Sequence, residues 1–409
     1  MKRCFLVLVV MFVGYPILFA QGWVTFLEEE VVLLIDVKAT NDGGCLALGL
    51  PTFNDGIGKL LKLDADGNLQ WQQVLPDADP QIEYEQLEIT PDGDLLVLFE
   101  KEDDDLLVLR KYDPTANLIW EIDRPLGSNL NIEFFIPDLA VTATGDIYLS
   151  YQTGNEKYVR KLDPSGNLLW ENVIEWEHEG FGYFSIAVDE LGQLLVGGRD
   201  SIPPNPFFTR GTLRKYDVDG NVILDYFDPN GPYQLIGQVG YFGDGRFVFS
   251  ARSINNDISN HLGIVNVDGT IDTISKAWFP DYFDQTDWPP YGGVVSNANG
   301  NLGTFYGTTI GQGDRFHSMI QLDSDGNFVW DQTIVGPSYL LEGTDMAEDG
   351  SIFTAWWLGG TSAIMKASGP APITNGVVSG RIFRNLGSNC APTTSVQQIG
   401  LADWHILFI

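Results

Sequence analysis

Cysteine, histidine and positive charge are all scarce in this chain. Its 409 residues include three cysteines and four histidines. Only Cys45 and Cys390 lie beyond the first twenty residues, one near each end, so no disulfide framework is expected. The histidines (His178, His261, His317 and His405) stand singly, without the paired spacing of a zinc site. Lysine and arginine together number 23 against 55 acids, a formal charge of −32. Such a field repels nucleic-acid phosphate and anionic lipid, which excludes nucleic acid as a partner. Phosphate loops, dinucleotide fingerprints and the Gly-x-Ser-x-Gly elbow are absent as well. No catalytic set, metal site or cofactor is therefore expected, and no segment after residue 20 is apolar enough for a transmembrane helix.

The first twenty residues have the character of an export signal. A basic Met1-Lys2-Arg3 precedes an apolar run over 4–19, and Ala20 offers a small residue before the cut. Gly14 and Pro16 interrupt the run, which is short for a membrane anchor. Cleavage would remove Lys2 and Arg3 and no acid, taking the charge from −32 to −34. The sequence thus predicts a secreted or cell-surface protein.

What the chain has in abundance is repetition. The phrase Lys-Leu-Asp-Ala-Asp-Gly-Asn-Leu-Gln-Trp at 62–71 returns at 111–120 and 161–170, more weakly at 215–224 and 264–273, and strongly at 321–330. A Gly turn precedes each phrase, and there are seven of them: Gly43, Gly93, Gly145, Gly192, Gly245, Gly300 and Gly350, with spacings of 50, 52, 47, 53, 55 and 50. Each repeat resolves into four short strands, in the second at 86–90, 94–100, 106–112 and 117–122. Alternation and β-branched or aromatic residues mark the strands, and Gly, Asn and Asp mark the turns. Four-stranded units repeated about seven times predict an all-β, seven-bladed propeller over 21–370. Gly and the Asn after it are expected to supply the positive φ of the turn, and the Trp ending the phrase to pack between blades.

The seventh repeat stops at Gly369-Pro370 without the outer strand that ends in Trp. Gly22-Trp23-Val24-Thr25-Phe26-Leu27 resembles the missing strand. The N-terminal strand is therefore predicted to complete the last blade and close the ring. The propeller is expected to be monomeric.

The phrase, a Leu-Asp with two spacers, Gly and then Trp, resembles the blades of pyrroloquinoline-quinone-like and WD-like propeller repeats from secreted bacterial proteins. The resemblance runs from Trp23 to Ala367 and implies a blade architecture. It departs from the quinone enzymes in blade number, seven against their usual eight, and in lacking a vicinal cysteine pair. From residue 371 the rhythm changes. The stretch 377–390, Val-Val-Ser-Gly-Arg-Ile-Phe-Arg-Asn-Leu-Gly-Ser-Asn-Cys, resembles the first strand of collagen-adhesin B-type or prealbumin-like β-sandwich modules. Residues 371–409 are thus expected to be the truncated start of such a module, a short irregular or β tail.

Paired acids in the phrase, such as Asp64 with Asp66, suit a hairpin turn better than a calcium loop, since no bidentate Glu follows. Aromatic residues cluster before each innermost strand: Tyr84, Phe134 with Phe135, Tyr183 with Phe184, Tyr233, Tyr291 and Tyr339. Glu83, Glu85, Glu133 and Glu179 lie beside them. Such a rim could stack on sugars or hold a peptide with basic groups, or its rings could simply pack between blades. The sequence favours a non-catalytic binding or scaffold module for a protein or glycan. The alternative is a polysaccharide or lactone lyase or hydrolase that uses acids at the channel mouth.

Overall fold

A computed structural model describes residues 21–27, 31, 33–51, 57–75, 82–101, 105–125, 137–153, 156–174, 185–202, 205–227, 233–253, 260–274, 293–297, 299–300, 302–310, 314–323, 328–337, 340–357 and 362–368. The export segment and the tail module lie outside these residues.

The chain forms seven antiparallel sheets of four strands each, a seven-bladed propeller, with no helix among the described residues. Blade 1 contains β2 (Leu33–Ala39), β3 (Cys45–Leu50), β4 (Lys59–Leu63) and β5 (Leu69–Val74), from the axis outward. Blade 2 contains β6 (Ile82–Ile89), β7 (Leu95–Lys101), β8 (Leu106–Tyr112) and β9 (Leu118–Pro125). Blade 3 follows with β10 (Asp138–Val141), β11 (Ile147–Thr153), β12 (Glu156–Leu162) and β13 (Leu168–Val173). Blade 4 has β14 (Ser185–Val188), β15 (Leu194–Ile202), β16 (Asn205–Tyr216) and β17 (Val222–Phe227). Blade 5 has β18 (Tyr233–Gly243), β19 (Arg246–Ser253), β20 (Asn260–Val265) and β21 (Ile271–Ile274). Blade 6 has β22 (Gly293–Ser296), β23 (Leu302–Ile310), β24 (Asp314–Leu322) and β25 (Phe328–Pro337). Blade 7 joins β26 (Leu340–Met346), β27 (Ile352–Trp357) and β28 (Ser362–Ser368) to β1 (Gln21–Phe26).

The closing strand is the predicted one. β1 pairs antiparallel with β28 from Gln21 opposite Ser368 to Phe26 opposite Ala363. In blade 2 the innermost strand begins four residues earlier than the alternation suggested, because β6 continues through a bulge at Glu85 to pair Ile82 with Lys101.

The core is divided among the joints. Seven clusters of buried apolar side chains occupy the seven interfaces between successive blades. Each sheet is therefore covered on both faces. This explains why a middle strand such as β7 is continuously buried from Leu95 to Glu100 while an outer strand such as β13 alternates. The Trp of the phrase bridges to the following blade. Trp23 Nε1 donates to Ala65 C=O at 2.8 Å and Trp170 Nε1 to Val218 C=O at 3.0 Å. A Cβ on Gly67 would come within 2.6 Å of the Trp23 ring. Trp330 is fully buried among blade 7 residues that include Met365 and Ala367.

The turns meet expectation in part. Gly67 and Gly166 have φ of 82° and 84°, and Ala116 takes the same position with φ 61°. The following Asn does not share the positive φ. Its amide instead donates to the Asp that opens the turn, as from Asn117 Nδ2 to Asp113 Oδ2 at 2.8 Å. The Asp also accepts backbone N–H groups, with Asp64 Oδ1 receiving those of Asp66 and Asn68 at 3.0 and 2.8 Å. The Asn side chain and backbone pull Asp113 down to about 2. These carboxylates serve the hairpin itself.

Candidate functional site on the loop face

Strand direction divides the propeller into two faces. One carries the turns between first and second and between third and fourth strands. The other carries the second-to-third connections and those from each outer strand to the next innermost strand.

The turn face is uniform. All six phrase turns have five residues, as do six of the seven first-to-second turns. The phrase lysine is buried and ties its own blade together: Lys62 lies 2.8 Å from Asp42, Lys111 3.0 Å from Asp94, and Lys161 3.0 Å from Asp146. Lys111 and Lys161 also reach the next blade's turn, at Pro164 and Val218 C=O. Cross-strand pairs recur beside them, Arg110 with Glu121, Arg160 with Glu171 and Arg214 with Asp225. The charged groups on this side thus hold the scaffold.

The loop face varies. Outer-to-inner connections range from two residues before Leu340 to eighteen between Ile274 and Gly293. Of the six aromatics expected on its rim, Phe135, Tyr183, Tyr291 and Tyr339 lie outside the described residues, and of Tyr233 only the backbone is described. Tyr84 is placed in the joint between blades 1 and 2. Only 4% of it is exposed, its hydroxyl accepts the Gly58 N–H at 3.0 Å, and its ring meets Phe99 at 5.6 Å. It packs there because the space above Gly58 fits its ring and no side chain.

Glu83, Glu85 and Glu100 gather beside it at the start of β6 and the end of β7. Glu83 faces Glu100 across the pair, and the bulge inserts Glu85 between Tyr84 and Gln86. Burial, then the like charges of Glu100 and Glu83, push Glu85 up to about 8. Glu83 is exposed. A carboxylic acid that keeps its proton at neutral pH beside an exposed carboxylate is an arrangement able to donate and accept protons. Glu133 and Glu179 lie outside the described residues.

Along the axis the structure shows a pattern that local motifs did not reveal. Seven residues before five of the seven turn glycines, a polar side chain bonds the innermost strand of the next blade. Asp36 accepts the Leu87 N–H at 3.1 Å, Gln86 donates to Leu139 C=O at 3.3 Å, and Asp138 accepts the Ile186 N–H at 2.7 Å. Ser185 accepts the Val239 N–H at 3.2 Å and Gln238 the Val294 N–H at 3.1 Å. Blades 6 and 7 have Gly293 and Gly343 here, and a Cβ on Gly343 would lie 2.7 Å from Asp36 Cα. Asp345 takes over at the closing joint, accepting the Ala39 N–H at 2.7 Å. The ladder satisfies edge groups that would otherwise face the channel unpaired. Its sequence signal was positional, visible only once the repeats are aligned on their glycines.

No group of histidine, cysteine and acidic side chains among the described residues is arranged to hold a metal ion. No helix among them is long and apolar enough to cross a membrane.

No family model matches the chain, and no curated protein matches it in sequence. Among solved structures it is similar to Drosophila plexin A in complex with semaphorin 1b, at 8% identity and a TM-score of 0.50, over 87% of this chain and 88% of that one. It is also similar to the polysaccharide lyase Uly1, at 10% identity and 0.44, over 81% and 89%. A member of the DUF4221 family from Bacteroides vulgatus gives 9% and 0.42, over 88% and 98%. At these identities the likeness is one of fold alone, that of the β-propeller the seven sheets form.

Proposed function

We propose that this propeller is an exported binding or scaffold module that holds a protein or glycan on its loop face. The observation that carries the reading is the contrast between the faces: nearly constant five-residue turns on one side, and outer-to-inner connections of two to eighteen residues on the other. Recognition concentrates on variable connections set on a rigid frame. The basic, apolar start of the chain supports export to the cell surface or medium. The resemblance of its phrase to pyrroloquinoline-quinone-like blades supports the frame and brings no quinone with it.

A glycan array and a thermal-shift panel on the propeller, repeated after the 275–292 connection is replaced by five residues, test the reading. A ligand that raises the melting temperature of the parent and not of the replaced protein is the expected result. Ligand binding that survives replacement of this connection and of 126–136 refutes it.

A second reading, a propeller enzyme acting on a polysaccharide or lactone, is favoured by one observation: Glu85 is pushed up to about 8 beside exposed Glu83. In that case Glu85 is the acid and Glu83 the base. Turnover of a polysaccharide that disappears in Glu85→Gln, with an alkaline limb near the Glu85 value, would establish it. Turnover unchanged in Glu85→Gln would remove it.

A further inference from the structure

We propose that the joint where the ring closes is a proton-linked clasp, in which Lys38 is shared by carboxylates on three innermost strands and uptake of one proton by this cluster tightens blades 7, 1 and 2 against one another. Lys38 Nζ lies 2.5 Å from Glu88 Oε1 on β6 and 3.7 Å from Asp36 Oδ2 on its own β2. Asp345, on β26, completes the group from the other side and interacts with the same ammonium. The side chains of Lys38, Asp36 and Glu88 are 13%, 9% and 21% exposed, so water screens them weakly.

The carboxylates have unequal tasks. Asp36 holds the Leu87 N–H of blade 2, and Asp345 holds the Ala39 N–H of blade 1 across the closing joint. Among the described residues Glu88 bonds Lys38 and no backbone group of a neighbouring blade. Three carboxylates largely shielded from water around one cation leave an excess of negative charge. A proton on Glu88 removes that excess without giving up a bond between blades, and it leaves Lys38 to the two carboxylates that do bridge blades.

Among the described residues the surrounding groups do not supply a second cation. Asp138 on β10 is itself an acid that feels Lys38. Cys45 on β3 is a buried thiol held neutral by burial. The neighbouring lysines are engaged elsewhere, Lys62 with Asp42 and Lys366 with the Gly43 carbonyl. Burial raises Glu88 to about 7 and Asp36 to about 6, while the flanking carboxylates, with Asp36 foremost, keep Lys38 charged against the pull of burial.

The sign follows from linkage. A carboxylate raised in the folded state binds its proton there at pH values where the unfolded chain, with its ordinary value of about 4, does not. Stability therefore rises as pH falls from about 8 towards about 5. Relief of the general negative charge acts in the same direction, so the test isolates the clasp. Melting temperature is followed from about pH 8 to about pH 5 for the parent, Glu88→Gln, and Asp66→Asn, which removes an equal charge from an exposed turn. The expected result is a rise in the parent and in Asp66→Asn that is clearly smaller in Glu88→Gln. Parallel curves for all three overturn the proposal.

Should Glu88→Gln fail to fold, amide exchange at Ala39 and Leu87 in the parent decides the matter. One linked proton lowers their opening constants by up to roughly tenfold per pH unit within the titration window, after correction for intrinsic exchange. Opening constants that do not change with pH contradict the clasp.

Discussion

The turn face and the loop face of this propeller are made from one repeat, yet the repeat constrains them differently. On the turn face the Lys, Asp, Asn, Gly and Trp of the phrase have defined partners, many in the next blade. A change there disturbs two blades at once. On the loop face no common length is imposed, and the connection from blade 5 to blade 6 is nine times as long as that from blade 6 to blade 7. One side holds the ring together, and the other is free to differ from blade to blade.

The sharpest way to break this comparison is at the closing joint, where the phrase is supplied by the opposite end of the chain. Deleting residues 21–27 removes β1, Trp23 and the Thr25 hydroxyl that donates to Gly67 C=O. Loss of the cooperative thermal transition is expected in calorimetry. Retention of a single sharp transition would show that blade 7 closes without its fourth strand.

A smaller effect is expected from truncating the phrase Trp within a joint. Trp330→Ala empties a fully buried site and should lower stability by about 3–5 kcal/mol in urea titrations. Trp120, only half-buried on its outer strand, should be less sensitive than Trp330. Equal losses would mean that burial in the joint does not set the contribution.

Insertions compare the two faces directly. Four Gly-Ser residues within 275–292 should cost less than about 1 kcal/mol, since loop-closure entropy grows slowly with length. The same four inserted between Asp113 and Asn117 should cost several times more, because they break the Asp–Asn bond and the backbone pair beneath it. Similar melting temperatures for the two variants would abolish the distinction between faces.

Single glycines sharpen the comparison further. Gly67→Ala places a methyl against Trp23 at a φ of 82° and should cost about 1–2 kcal/mol. Gly93→Ala, with a φ of 84° but only ordinary contact for the new methyl (Pro114 Cγ at 3.9 Å), should cost less. Acid adds a final contrast. Asp113 is held down by its Asn117 bonds, and Asp42 by Lys62 although burial opposes it, so both contribute stability at neutral pH that is lost as pH falls from about 4 towards 2. The axial carboxylates act in the opposite direction at higher pH, so the melting temperature should pass through a maximum on the acid side of neutrality. A melting temperature that falls steadily from pH 8 downward would contradict this.

Much of the architecture could be read from residue order because the repeat writes its turns in a fixed alphabet. Gly43 to Gly350 counted the blades, and Trp23 near the start supplied the feature missing after Ala367. The loop-face aromatics were harder to read. An aromatic before an innermost strand suits an exposed rim and a buried joint equally, and Tyr84 was decided by the empty space over Gly58, more than twenty residues away. The bulge at Glu85 was likewise invisible, since it depends on the register between β6 and β7 rather than on any local preference.

By itself, the sequence determined blade number, the four-strand unit, the closing strand and the acidic character of the chain, because periodicity, turn chemistry and charge are properties of residue order. Tertiary structure alone decided which polar residues face one another across the joints. The sharing of Lys38 among Asp36, Glu88 and Asp345 joins positions more than 300 residues apart, brought together by closure of the ring. Their protonation is set by burial and mutual distance, quantities that exist only once the blades have packed.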